Sequence, residues 1–448
     1  MFRFLPLLSL LAGAHALENG LARTPQMGWN TWNHFGCGIS EELILSTARV
    51  IVQKGLKDLG YEYVLIDDCW QAPERDPKTK APVADPKKFP HGIKHVADEI
   101  HKMGLKLGIY SDAGSRTCAG FFGSLDYEEI DAKQYAAWKV DYLKYDNCYN
   151  EGRSGTPQIS QQRYAAMSKA LNATGRPILY SMCNWGEDQP WNWANTIANS
   201  WRISGDIHDS FKRFDERCPC TQVLDCKFAG YHCAVTRIID FAAPLGQKGG
   251  PGHFNDLDML EVGNGGMTYD EYVTHFSMWA ILKSPLILGN DLTAMSDETF
   301  SIITNEAIIS VNKDVMGSAA NRIWKQEVAG GDLQLWVGWL TNWDTVVALM
   351  NTGEETIKTS VAIADVFTDG SDWSRKAAYN LYDLWELEDN DGRRYGKYQG
   401  VVRGHIQNVH VKPHQTRVWK LGVIWGSVDG QEETGQTQLK RRGARYEL

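Results

Sequence analysis

Short apolar runs that stop on a carboxylate recur along the first two thirds of this chain, and that repetition limits the fold most. Val64-Leu65-Ile66 ends in Asp67-Asp68, Leu105 to Tyr110 leads to Asp112, and Tyr142 to Tyr145 ends on Asp146. Trp201 to Gly205 leads to Asp206, and Pro285 to Leu288 leads to Asp291. Segments of helical periodicity, such as Ile44 to Leu59 and His95 to Met103, lie between these runs. Buried strands alternating with helices build a parallel sheet. Polar residues gathered at the carboxyl ends of its strands make one acidic face, where α/β barrels keep their chemistry. One carboxylate after a strand is ordinarily a turn or cap residue. Five in the same place predict a site.

Eight candidate strands precede about residue 295. They are Met27–Trp32, Tyr63–Asp67, Leu105–Ser111, Tyr142–Tyr145, Pro177–Cys183, Ser200–Ser204, a weak one at Asp258–Leu260, and Pro285–Leu288. Several spacings are roughly 30–40 residues, one βα unit each. The fold class is therefore α/β, a (β/α)8 barrel over residues 17–318. No G-x-G-x-x-G follows the first strand, so a dinucleotide fold has no support. After about Gly317 the pattern becomes short β-rich runs broken by Gly, Asn and Asp, as in Leu333–Val337, Thr345–Leu349, Thr356–Val361, Val409–Val411 and Thr416–Trp419. An antiparallel β-sandwich domain is expected over 319–425, with a polar tail at 426–448.

The 448 residues accommodate both domains, and a net charge of −9 without a basic face argues against nucleic acid. Residues 1–16 carry Arg3, an apolar run and Ala14-His15-Ala16, the pattern of a cleaved secretory signal peptide. That run is too short to span a bilayer, and the mature protein is expected to be secreted, with no membrane partner. Asn172-Ala173-Thr174 is then a candidate glycosylation site. Nine cysteines in an exported chain imply disulfides with one thiol left over. Cys218, Cys220, Cys226 and Cys233 lack the paired spacing of a zinc ribbon, and the strand ends offer no His-x-His pair. Neither metal nor cofactor is expected. Seventeen Trp and eighteen Tyr are mostly core, with some ring faces free to stack on a sugar.

Paired carboxylates across a barrel mouth suit glycoside hydrolysis, where one stays ionised to attack and the other carries a proton. Asp146 fits the nucleophile, because Lys144 two positions back points to the same side of the strand and favours the charged form. Asp206, across the mouth and four residues after Arg202, fits the acid.

The motifs Met27-Gly28-Trp29-Asn30-Thr31-Trp32, Tyr63 to Trp70, Leu105 to Asp112, Tyr142 to Cys148 and Gly249 to Leu260 together resemble the family 27 glycoside hydrolases. The likeness runs from about Gly20 to Leu421. It implies a barrel with an antiparallel β domain, and retaining hydrolysis of terminal α-D-galactose in galacto-oligosaccharides and galactosides. It puts Asp146 on the nucleophile and Asp206 on the acid/base. Trp29, Asp67, Asp68, Tyr110, Lys144, Arg202, Asp258 and Met259 fall on its sugar pocket. Asn184 stands where many α-galactosidases of the family carry Glu, and the large Trp185 beside it favours a 2-hydroxyl over a 2-acetamido group. The alternatives are an α-N-acetylgalactosaminidase on the same scaffold and a non-catalytic sugar-binding protein. Cys37 is expected to bridge Cys69, and Cys118 to bridge Cys148, because each pair joins loops after adjacent strands, and the resemblance supports both. Two bridges of open connectivity are expected among Cys218, Cys220, Cys226 and Cys233, leaving Cys183 free. The sequence sets no oligomeric state.

Overall fold

The computed structural model describes residues 17, 19–216, 218, 233–368, 372–390 and 393–425. The signal-peptide assignment, Cys220, Cys226 and the tail at 426–448 lie outside the described residues. Eight parallel strands come first: β1 (Met27–Asn30), β2 (Tyr63–Leu65), β3 (Lys106–Asp112), β4 (Tyr142–Asp146), β5 (Leu179–Met182), β6 (Ser200–Arg202), β7 (Phe254–Asp256) and β8 (Leu286–Leu288). They pair in the order β7-β6-β5-β4-β3-β2-β1-β8. The two ends meet at a single parallel bridge between Leu260 and Leu288, which closes the barrel.

Period-2 alternation decides which layer each strand side chain enters. Val64, Ile66, Leu107, Ile109, Leu143 and Tyr145 belong to the large core shared with the surrounding helices. Their neighbours Tyr63, Leu65, Tyr142, Leu179 and Ile287 form a separate cluster with Met259. Gly28 allows that second cluster to fit, because a Cβ there would stand 2.3 Å from the Tyr63 carbonyl oxygen. The seventh strand corrects the sequence reading. It lies at Phe254–Asp256, and Asp258 has φ +81°, a left-handed conformation that an extended strand does not hold. The periodic segment Ile44 to Leu59 is also broken, at Gly55 with φ +72°, into helices Glu41–Gln53 and Leu56–Leu59.

The second domain has β9 (Asn321–Val328), β10 (Gly331–Trp339), β11 (Thr345–Asn351), β12 (Ile357–Ala362), β13 (Tyr379–Asn390), β14 (Arg393–Val402), β15 (His405–Val411) and β16 (Thr416–Val423). Six strands form one antiparallel sheet, β14-β13-β16-β11-β10-β9, and β12 pairs with β15 in a ribbon. Leu335, Leu349 and Trp419 pack with Val361, Ile406 and Val409 of the ribbon. Trp336, Ala348 and Val418, one residue out of phase, join the barrel core instead. Burial on both faces explains why all of Thr345–Asn351 is buried. The helix Tyr269–Ile281 is wedged at this seam, buried continuously from Glu271 to Ile281. Trp385 Nε1 donates to Ser277 Oγ at 2.8 Å, and His414 Nδ1 lies 2.7 Å from Glu271 Oε1. None of the helices among the described residues is long and apolar enough to cross a membrane.

Candidate active site

The carboxyl ends of the strands surround a pocket of about 180 Å³. Three of the five carboxylate-ended runs reach it, through Asp67 with Asp68, Asp146, and Asp206. Asp112 instead turns into the protein, where its Oδ2 accepts the Cys148 N–H at 3.0 Å, and Asp291 caps its own turn through Thr293. Tyr110, Lys144, Asp258 and Met259 also line the pocket, as expected from the sequence.

Asp146 ends β4 on the same strand face as Tyr142 and Lys144. Its Oδ2 accepts the Tyr110 hydroxyl at 2.9 Å, and its Oδ1 accepts the Asn147 N–H at 3.0 Å. Both bonds favour the carboxylate form and fix its plane. Burial opposes them and pushes the carboxyl up to about 7, helped by the charges of Asp206 and Asp67 and countered by Lys144. The lysine does not hold Asp146 directly. Its Nζ donates to Asp67 Oδ2 at 2.7 Å, and Asn30 Nδ2 reaches the same oxygen at 2.8 Å. Burial disfavours the Lys144 charge, but Asp67 and the other nearby charges keep its pKa well above the usual lysine value. Asp68 turns into the same wall, braced by the Cys69 N–H at 2.7 Å and the Ala119 N–H at 2.8 Å.

Asp206 also lines the pocket, from the loop that follows β6, two strands from β4. Its carboxylate is 41% exposed and bonded by Arg202 Nη2 at 3.0 Å. The same guanidinium nitrogen lies 2.9 Å from Asp258 Oδ2, an oxygen that also takes the Ile207 N–H at 2.8 Å. Arg202 is thus buried behind the carboxylates, tying Asp206 to Asp258 rather than lining the cavity. The strained backbone at Asp258 is what turns its carboxylate toward Arg202.

Two further expectations change. Trp29 is fully buried in the helix-facing core, with its indole N–H donated to the Asn290 carbonyl at 2.8 Å. It lies out of phase with Asn30, so the motif delivers Trp32 to the pocket instead. Asn184 and Trp185 are buried beside the pocket, not in its lining. Asn184 Nδ2 donates to the Glu187 carbonyl at 2.7 Å, while its Oδ1 is buried without a partner. The residues that the sequence did not reveal are Asn33, Ile207, His208 and Glu261. Glu261 is gripped by Asn33 Nδ2 at 2.8 Å and Asn264 Nδ2 at 2.5 Å, and burial raises its carboxyl to about 8. Its signal was the apolar stretch Met259-Leu260 ending once more on a carboxylate.

Disulfides join Cys37 to Cys69 and Cys118 to Cys148, and Cys118 lines the pocket. A third joins Cys218 to Cys233, and Cys183 is free and buried against Arg202. Asn172 is exposed in the last turn of the helix Pro157–Ala173.

Residues 24–314 match the family model described as alpha galactosidase A, and residues 330–421 match that of the alpha galactosidase C-terminal beta sandwich domain. An alpha-galactosidase of Schizosaccharomyces pombe is 52% identical over 408 residues, covering 91% of each chain. The crystal structure of alpha-galactosidase I from Mortierella vinacea superposes with a TM-score of 0.85 at 52% identity, covering 90% of this chain and 98% of that one. An alpha-galactosidase structure from Saccharomyces cerevisiae with raffinose gives a TM-score of 0.88 at 43% identity, covering 91% and 99%.

Proposed function

The chain belongs to the alpha-galactosidase family of glycoside hydrolases and is itself an α-galactosidase; we propose that it releases terminal non-reducing α-D-galactose with retention of configuration. In the first step the Asp146 carboxylate attacks the anomeric carbon from the β face. The C–O bond to the leaving group breaks, and Asp206 gives its proton to the departing oxygen. In the second step Asp206 takes a proton from water, which attacks from the α face and frees Asp146. Galactose leaves as the α anomer.

The observation that carries this reading is the convergence of Asp146 and Asp206 on the lining of one pocket of about 180 Å³. Tyr110 and the Asn147 N–H aim Asp146, and the positive charge that develops on the sugar ring favours the ionised form over the neutral one. Asp206 stands at the solvent-exposed edge of the pocket, where a leaving group can depart. On the far wall, Asp67, Asp68 and Lys144 offer charged acceptors and a donor to vicinal hydroxyls, an arrangement suited to an axial 4-hydroxyl. Beside the pocket, Trp185 is buried at φ +55°, and a Cβ on Gly186 would stand 2.3 Å from the Ile203 carbonyl oxygen. A loop packed that tightly favours a 2-hydroxyl over the larger acetamido group. Galactosides and small galacto-oligosaccharides are the substrates we assign, with secretion supported by three disulfides.

Proton NMR of the first sugar released from p-nitrophenyl α-galactoside tests the mechanism. We expect α-galactose, with slow appearance of β by mutarotation. An initial β product would overturn retention, and faster turnover of the 2-acetamido analogue would overturn the pocket assignment.

A further inference from the structure

The helices that follow β1 and β2 begin side by side, and their first residues carry a cluster that the proposed hydrolysis does not use. The Glu41 N–H donates to the Lys88 carbonyl at 2.8 Å, which fixes the start of Glu41–Gln53 against the segment leading into Gly92–Lys102. His91 immediately precedes that second helix and His95 lies in its first turn. Their spacing of four residues puts both rings on one face, and the ring centroids are 4.9 Å apart. Glu41 Oε1 is 2.7 Å from His91 Nδ1 and 3.9 Å from His95 Nε2. One donor atom from each residue lies within 4.8 Å of the other two.

We propose that Glu41, His91 and His95 form a binding site for a first-row divalent cation such as zinc. Zinc bonds of about 2.0–2.1 Å place neighbouring ligand atoms about 3.3 Å apart around a tetrahedral ion. The two observed separations to the Glu41 oxygen straddle that spacing, so small side-chain rotations complete the set. Two imidazoles and one carboxylate match zinc in donor type. The fourth position faces water, because the His91 and His95 side chains are 65% and 40% exposed. Glu41 needs no rearrangement to stay in place, since its other oxygen accepts the His91 N–H at 3.2 Å. The cluster lies outside the pocket lining, so the cation takes no part in glycoside cleavage. It joins the same two loops as the Cys37–Cys69 disulfide, whose carbonyls both receive Lys88 Nζ, at 3.0 and 2.8 Å. Those loops position Trp32 on one side and Asp67 with Asp68 on the other. A bound ion would therefore stiffen this quarter of the pocket rim.

Titration calorimetry of the EDTA-treated full chain with zinc chloride is the test, alongside the His95→Ala and Glu41→Gln variants. His95 is half-exposed, so its removal leaves the core intact, and Gln at 41 keeps a hydrogen-bonding group at the helix start. We expect one zinc per wild-type chain, and affinity at least tenfold weaker in each variant. Zinc should raise Tm in the wild type, as mass action on a folded-state site requires, and leave Tm of His95→Ala unchanged. Hydrolysis of the chromogenic galactoside by His95→Ala should match the wild type. Absence of binding at millimolar zinc, or equal affinity in the wild type and both variants, would overturn the site.

Discussion

Asp67 is held on both carboxylate oxygens. Its Oδ2 takes both Lys144 Nζ and Asn30 Nδ2, and its Oδ1 accepts the Asp68 N–H at 2.9 Å. Asp67→Asn keeps the shape but points an amide at donors, leaving the buried ammonium without its partner. We expect kcat/KM to fall by about 2–4 kcal/mol, roughly 30- to 1,000-fold, measured on p-nitrophenyl α-galactoside. Unchanged kcat/KM would reduce Asp67 to a loop cap. Asp146 carries the covalent step, so Asp146→Gly should abolish turnover. Added azide should restore it and yield β-galactosyl azide, because the anion enters from the vacated face. In Asp206→Gly, with a good leaving group, azide should instead open the covalent intermediate from the other side and give the α-galactosyl azide. The anomer of each product, read by NMR, distinguishes the two roles. At this scale the sequence located Asp67, Asp68, Asp146 and Asp206, because strand ends advertise themselves. It misassigned Trp29 for Trp32, because two tryptophans in one motif differ only in which strand face they occupy.

Among the elements, the helix Tyr269–Ile281 carries the most consequence for its length. A capping box starts it, with Thr268 accepting the Glu271 N–H and Glu271 accepting the Thr268 N–H at 2.7 Å. The same Glu271 meets His414 of the β domain, so the cap also fastens the seam. Thr268→Ala should cost about 1 kcal/mol and lower Tm, with kcat/KM unaffected. A calorimetric scan checks both domains together, and an unchanged Tm would show that the helix start is held by burial alone. The elements that the sequence missed fail for an identifiable reason. β13 and β14 contain Asp383-Leu384-Trp385-Glu386-Leu387-Glu388 and Arg393-Arg394-Tyr395-Gly396-Lys397, where charge masks the two-residue alternation. Their pairing slips at Asp383/Leu387, and such irregularities break the pattern that strand recognition depends on.

The whole molecule concentrates buried carboxyls around one cavity, and this sets how stability varies with pH. Burial raises Asp256 to about 6, Asp146 to about 7 and Glu261 to about 8. An unfolded carboxyl titrates near 4. Between that value and the folded ones the native state binds more protons than the unfolded chain, so stability falls as pH rises. Exposed Asp98, lowered to about 2 by Lys139 and Lys94, acts in the opposite sense and only in much stronger acid. Tm should therefore decline from about pH 5 to pH 8. Glu261→Gln, neutral throughout, should flatten the upper part of that decline. A Tm that climbs over the same interval would mean that water or ions reach these groups.

What the sequence determined by itself was repetitive and local. Strand-helix alternation, carboxylates at strand ends, the change to β-rich runs near Gly317 and the Cys37–Cys69 and Cys118–Cys148 pairs are all properties of neighbouring residues or of their order. What only the tertiary structure decided was which of those residues converge. Asp112 and Asp291 end apolar runs just as Asp146 does, but the barrel turns one inward and leaves the other in a surface turn. Glu261 and Asn33 lie 228 residues apart and meet because β8 pairs with β1 and the Leu260–Leu288 bridge closes the ring. The environments of the catalytic pair were likewise decided by closure: Asp146 buried beneath Tyr110, Asp206 exposed against Arg202. Burial and long-range charge depend on where the whole chain ends up, and no local pattern encodes them.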